Sequence, residues 1–142
     1  MAKRRSTLNY FIDSSVLFSA VNSPTGGSAK IFTEKGLSLI VSTLVLIEVE
    51  RNVRDKLLDY HLERFFLLVD RLIILNRIPN QRQIELAKKV IAEKDAVILA
   101  SAKLAKTQIL LTLDQKHFLT PKVEEFMKPI KILTPKMFFG SH

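Results

Sequence analysis

The chain of 142 residues carries 22 Lys or Arg against 14 Asp or Glu, a formal charge of +8 with neutral His, and 47% of its residues are apolar. That length and apolar share suit one domain with a sizeable buried core and argue against a long disordered tail. The lack of cysteine excludes disulfides, thiol catalysis and Cys-built zinc sites.

Met1-Ala2-Lys3-Arg4-Arg5 is basic, but Asn9 and Asp13 follow where a secretory signal would have its apolar stretch. The expectation is a cytoplasmic protein, one domain over residues 1–142, with residues 1–7 as a flexible start and Ser141-His142 as a disordered end. Tyr10-Phe11-Ile12 reads as a short buried strand ending at Asp13. A helix begins at Ser14 and stops before the loop Asn22 to Gly27. Ser28 to Lys35 reads as a second helix, closed by Gly36 as its C-terminal cap.

Leu37 to Val41 is the next strand, and Ser42 or Thr43 caps a long helix reaching about Leu58, with Leu46, Val49, Val53 and Leu57 as its core face. The apolar run that joins these two, Leu37 to Val49, is too short and too interrupted by Ser38, Ser42, Thr43 and Glu48 to cross a bilayer. Leu62 to Val69 forms a helix, Ile73-Ile74-Leu75 a strand or buried connector, and Asn76 to Asn80 a turn. Ile84, Ala87, Val90 and Ile91 mark one face of a helix over Gln81 to Ala92; after a break near Lys94, Asp95 opens another over Ala96 to Ala105. Ile109 to Leu113 is an apolar strand ending at Asp114, and a short segment around Val123 to Met127 leads to a last strand, Ile130 to Leu133, bounded by Pro129 and Pro135. Strands separated by helices predict an α/β fold with a central parallel sheet.

Charge is unevenly spread. Residues 1–70 hold nine Lys/Arg against eight acids, whereas residues 71–142 hold thirteen against six. A basic half serves solubility or an anionic partner, and a phosphate backbone rewards dispersed cations through counterion release.

Four acids stand out against this background. Asp13 and Asp114 each follow an apolar strand, which puts both at the carboxyl edge of a parallel sheet, where open α/β folds bind ligands. Glu48 sits one and a half turns into a helix among Leu46, Ile47 and Val49, and Asp95 lies at the first turn of another. Taken singly, Asp13 and Asp95 also fit helix caps, Asp114 fits a turn, and Glu48 fits a surface pair with Arg51 or Asn52. Taken together they can converge. Carboxylates that close repel one another, and a hard divalent ion such as Mg²⁺ or Mn²⁺ relieves the repulsion with oxygen ligands it prefers. An acidic metal pocket beside a basic surface is the layout a nuclease needs.

The same residues resemble the PIN-domain nucleases, which include the toxin ribonucleases of VapC-type toxin–antitoxin pairs, over nearly the whole chain. Phe11-Ile12-Asp13-Ser14-Ser15 is similar to the opening motif of that family, and Val41-Ser42 through Glu48-Val49 to its second. Asp95-Ala96-Val97-Ile98-Leu99-Ala100-Ser101-Ala102 resembles the third and Leu111-Thr112-Leu113-Asp114-Gln115-Lys116-His117-Phe118 the fourth. The resemblance implies that Asp13, Glu48, Asp95 and Asp114 surround Mg²⁺ or Mn²⁺ and carry catalysis, with Ser15 and Thr112 as hydroxyls that orient ligands or water. It further implies RNA hydrolysis and a homodimer and, if the chain is a toxin, a small antitoxin over the pocket.

Asn52, one turn after Glu48, is a candidate hydrogen-bonding neighbour of the pocket. Glu50 points about 200° away from Glu48 on a helix, so only one of the two can face the site, and the spacing from Ser42 favours Glu48. His61 and His117 are too isolated for a His-built zinc site, and His117-Phe118 reads as packing. Two rivals remain. One is an RNA-binding or scaffold protein of the same fold without turnover; the other is a phosphoryl-transfer enzyme with a nucleophilic Asp13, disfavoured because Ser15 stands where such enzymes carry a second Asp.

Overall fold

The computed structural model describes residues 8–140. Lys3-Arg4-Arg5, the flexible start expected over residues 1–7 and the disordered end expected at Ser141-His142 lie outside them. Strands β1 (Leu8–Ile12), β2 (Leu37–Ser42), β3 (Ile73–Leu75), β4 (Ile109–Leu111) and β5 (Lys131–Leu133) form one sheet in the order β3-β2-β1-β4-β5. Every pairing is parallel, as the alternation of strands and helices predicts. Tyr10, Phe11 and Ile12 are all buried, the signature of a central parallel strand covered on both faces. Helices α1 (Ser14–Asn22), α3 (Thr43–Lys56) and α4 (Asp59–Val69) pack on one another, while α5 (Gln81–Lys88) and α6 (Glu93–Ala105) form a separate pair. Right-handed crossovers put these two groups on opposite sides of the sheet. Among the described residues no helix is long and apolar enough to cross a membrane.

The strand order fixes where a ligand would sit. From β1 the chain moves outward to β2 and β3, then returns to add β4 on the other flank of β1. Beyond the carboxyl ends of β1 and β4 the crossovers diverge and leave a crevice, which is the switch point of an open α/β sheet.

Several boundaries differ from the sequence reading. Helix α2 (Gly27–Ile31) is shorter than Ser28 to Lys35, and Gly36, with φ of 82°, lies in the turn into β2 instead of capping it. A left-handed residue serves either role, so the glycine alone could not tell them apart. The core stripe of α3 is Val45, Val49 and Val53, with Leu46 and Leu57 only half-buried. Helix α5 stops at Lys88, before the expected break, and α6 starts at Glu93 after an Ala92 with no side chain to cap it. Strand β4 ends at Leu111, because Thr112 turns its hydroxyl inward. After β4 come α7 (Gln115–Phe118) and α8 (Pro121–Met127), and β5 is followed by α9 (Pro135–Gly140), which sequence reasoning did not foresee.

Candidate functional site

Asp13 follows β1 at the N-cap position of α1, yet its carboxylate caps no amide of that helix. Its Oδ2 accepts instead from the hydroxyls of Ser15 at 2.7 Å and Thr112 at 2.8 Å. Burial pushes the Asp13 carboxyl above its ordinary range, and these two hydrogen bonds only partly counter the effect. The Thr112 hydroxyl, itself fully buried, also accepts the backbone N–H of Asp114 at 3.0 Å, so one side chain ties the ends of β1 and β4 together. Ser15 Oγ accepts the backbone N–H of Leu113 at 3.0 Å from across the same junction.

Glu48 is half-buried on α3 and accepts from Ser14 Oγ at 3.0 Å. Glu50 turns to the surface and pairs with Arg54 at 2.9 Å. The helix geometry thus selects the acid that the Ser42 spacing selects, and Ser42 itself caps α3 by accepting from the Val45 amide at 3.2 Å.

Asp95 lies in the first turn of α6, and its Oδ2 is shielded from solvent without a hydrogen-bond partner. Burial is the largest cause of its raised pKa; Lys94 and His117 oppose the rise, while Asp114 and Glu48 add to it. Asp114 is the N-cap of α7, and its Oδ1 accepts the His117 amide at 3.1 Å. The turn-residue reading of Asp114 therefore holds alongside its place in the pocket.

A cavity of about 250 Å³ unites these groups: Asp13, Ser14, Ser15, Glu48, Asn52, Asp95 and Asp114 line it, with Phe18 and Phe118 as its apolar walls. All four acids singled out in the sequence face it. Ser15 and Asn52 are on its wall, and Thr112 stands behind Asp13.

Sequence reasoning missed His117. Its Nδ1 sits 2.9 Å from Asp114 Oδ2 and 3.0 Å from Oδ1, and one donor atom from each of Asp95, Asp114 and His117 falls within 4.8 Å of the others. The reading of His117 as packing is corrected by the one-turn helix α7, which folds the third residue after Asp114 back against it; Phe118 alone packs. The spacing D-x-x-H behind a strand-end acid is the signal that could have found it. A second concavity of about 240 Å³, lined by Leu86, Leu104 and Phe126 with Lys103 and Lys106, contains no acid.

Fold and pocket define a class: a parallel α/β sheet that gathers carboxylates from four distant segments at its switch point. The donor set suits a divalent cation, since it is all oxygen apart from one imidazole, mutually repulsive, and includes the shielded, unpartnered Oδ2 of Asp95. The PIN domain family model matches residues 10–122, and the chain belongs to that family, whose members are typically nucleases that use divalent metal.

Among solved structures, the chain is similar in fold to a toxin–antitoxin complex from Klebsiella pneumoniae, at 19% identity and a TM-score of 0.63, covering 89% of this chain and 97% of that one. VapBC2 from Rickettsia felis, bound to a DNA fragment from its promoter, aligns at 16% identity and a TM-score of 0.67, over 89% of this chain and 98% of that one. DNA-bound VapBC from Salmonella typhimurium aligns at 18% and 0.62, over 90% and 98%. A search of curated proteins finds no match.

Proposed function

We propose that this protein is a metal-dependent endoribonuclease, acting in the cytoplasm as one unit over residues 1–142. The observation that carries the reading is the convergence of Asp13, Glu48, Asp95 and Asp114 on one crevice, where Asp95 keeps a shielded oxygen unpartnered. These four would hold Mg²⁺ or Mn²⁺. A divalent cation there supplies a Lewis acid for a phosphoryl oxygen and makes water more acidic.

The chain's own residues supply the rest. Ser15 and Thr112 keep the Asp13 carboxylate turned into the crevice, and Ser14 does the same for Glu48. Asn52 offers an amide donor to a phosphate oxygen from the wall, and Phe18 and Phe118 keep bulk water from the apolar side. Lys94 and Lys116, exposed beside Asp95 and Asp114, hold the RNA backbone at the mouth. Without cations the acidic crevice repels phosphate, so cleavage requires them.

The test is cleavage of internally labelled single-stranded RNA with Mg²⁺, with Mn²⁺ or with EDTA. Wild type cuts only with metal, and Asp13→Asn loses about a hundredfold or more in rate while staying folded. Near-normal activity of the variant would overturn the assignment. Salt-sensitive RNA binding without metal-dependent cleavage would favour the scaffold alternative.

We also propose a homodimer and, as a toxin, a small antitoxin partner. Similar folds are solved as toxin–antitoxin complexes, and among the described residues exposed large apolar side chains concentrate between Leu58 and Ile78, including Tyr60, Phe66, Leu67 and Ile73. Sedimentation of the isolated chain checks the dimer. A monomer at micromolar concentration would exclude it.

A further inference from the structure

Helices α5, α6 and α8 leave an apolar hollow between them. Leu86, Leu104 and Phe126 line the cavity of about 240 Å³ described above, and Phe126 also borders a neighbouring hollow of about 550 Å³ with Val90 and Pro121, so the two join as one groove. None of its lining residues belongs to the acidic crevice. Leu86 is 40% exposed and Pro121 is exposed, so the described residues leave the groove uncovered. The rim is cationic. Lys89, Lys103, Lys106 and Lys122 line it against a single acid, Glu125, which pairs with Lys128 at 3.0 Å. Glu85 and Glu93 are taken by Lys88, and no described acid lies within ion-pair distance of the four rim lysines.

An open apolar floor between unpaired cations suits an apolar occupant that carries negative charge along its edges. RNA meets only half of that demand. Its phosphates match the lysines, but its bases need an aromatic face, and the one aromatic ring of the groove, Phe126, has the Lys103 ammonium 4.0 Å from its centroid. An isologous second copy of the chain would set the same lysines against one another. We propose that the groove receives an acidic amphipathic helix of a protein partner, its apolar face on Leu86, Leu104 and Phe126 and its carboxylates on Lys89, Lys106 and Lys122. This surface is separate from the exposed apolar side chains between Leu58 and Ile78, and its occupancy does not depend on the ribonuclease reading of the crevice.

The test titrates the full-length protein, by fluorescence anisotropy, with a labelled Glu-rich peptide of about 14 residues carrying Leu at i, i+3, i+4 and i+7. A second peptide has those Leu replaced by Ser, and a third probe is single-stranded poly-uridine RNA. Wild type binds the Leu peptide, and the Ser peptide at least about tenfold more weakly. Leu86→Ser and the pair Lys89→Glu with Lys122→Glu each weaken the Leu peptide by about tenfold. All three changes fall on exposed side chains, and a thermal melt checks that the variants stay folded. No binding of the Leu peptide by wild type, equal binding of the two peptides, or indifference to Leu86→Ser would overturn the proposal and leave a solvated basic face. RNA binding that falls in the double lysine variant, with no binding of the Leu peptide, would overturn it in favour of a nucleic-acid surface.

Discussion

Asp13 and Asp95 are both desolvated carboxylates, but the fold treats them differently. Asp13 is 4% exposed and has two hydroxyl donors, whereas the shielded oxygen of Asp95 has none. Burial raises the Asp95 pKa above its unfolded value, so folding favours the protonated form. That contribution is complete below the ordinary carboxylate range and is lost as pH rises through the raised folded value, which makes the ionised group a cost at neutral pH. In EDTA at neutral pH, Asp95→Asn should therefore melt about 1–2 °C above wild type, a gap that closes toward about pH 3. A variant equal to or below wild type in that scan would remove desolvation of Asp95 as a cause. Excess Mn²⁺ should reverse the order, since only wild type gains the full binding energy.

Thr112→Val removes the hydrogen bonds of a buried hydroxyl to Asp13, to the Asp114 amide and to Ser15 at nearly constant volume, and calorimetry should register a loss of about 1–3 kcal/mol, with Thr112→Ser retaining most of the stability. The four acids were legible in the sequence because each ends, interrupts or opens an apolar run. His117 was not, since its contact depends on a tight turn that propensity does not announce.

At the scale of elements, caps decide how securely the acids are carried. Helix α3 presents Glu48 from its second turn, and its start is fixed by Ser42. Ser42→Ala should lower stability by about 1 kcal/mol in denaturant titration, while Ser42→Asp keeps it; indifference to both would mean that packing of Val45, Val49 and Val53 alone sets the helix start. The existence of four strands and most helices was readable from apolar runs and spacing. Boundaries were readable only where a side chain marks them, as Ser42 does. Ala92 offers no such mark, so the gap between α5 and α6 was placed near Lys94 because apolar residues recur from Ile84 through Ile91. Helix α9 follows a strand directly, with Thr134 Oγ1 accepting the Met137 amide, and its Pro135 was read as a boundary instead of a helix start.

At the scale of the molecule, parallel pairing was predictable from alternation but the order β3-β2-β1-β4-β5 was not, because no sequence pattern states which flank of β1 receives β4. The net charge of +8 predicts salt-sensitive RNA binding. Each phosphate contacted on a single strand adds about 0.7 to the slope of log affinity against log salt, so Lys94→Gln with Lys116→Gln should flatten that slope by about 1.4. An unchanged slope in filter binding would move the contact surface away from the mouth of the crevice.

The bond from Thr112 to Asp13 joins residues 99 positions apart, and Asp13 also takes its backbone partner from Leu111. A ribosome that has made β1, β2 and α3 has therefore made two of the four acids and Ser15, but neither Thr112 nor the β4 end that supports Asp13 from across the sheet. On the ribonuclease reading proposed above, a nascent chain arrested before Ile109 should leave labelled RNA intact even in saturating Mn²⁺.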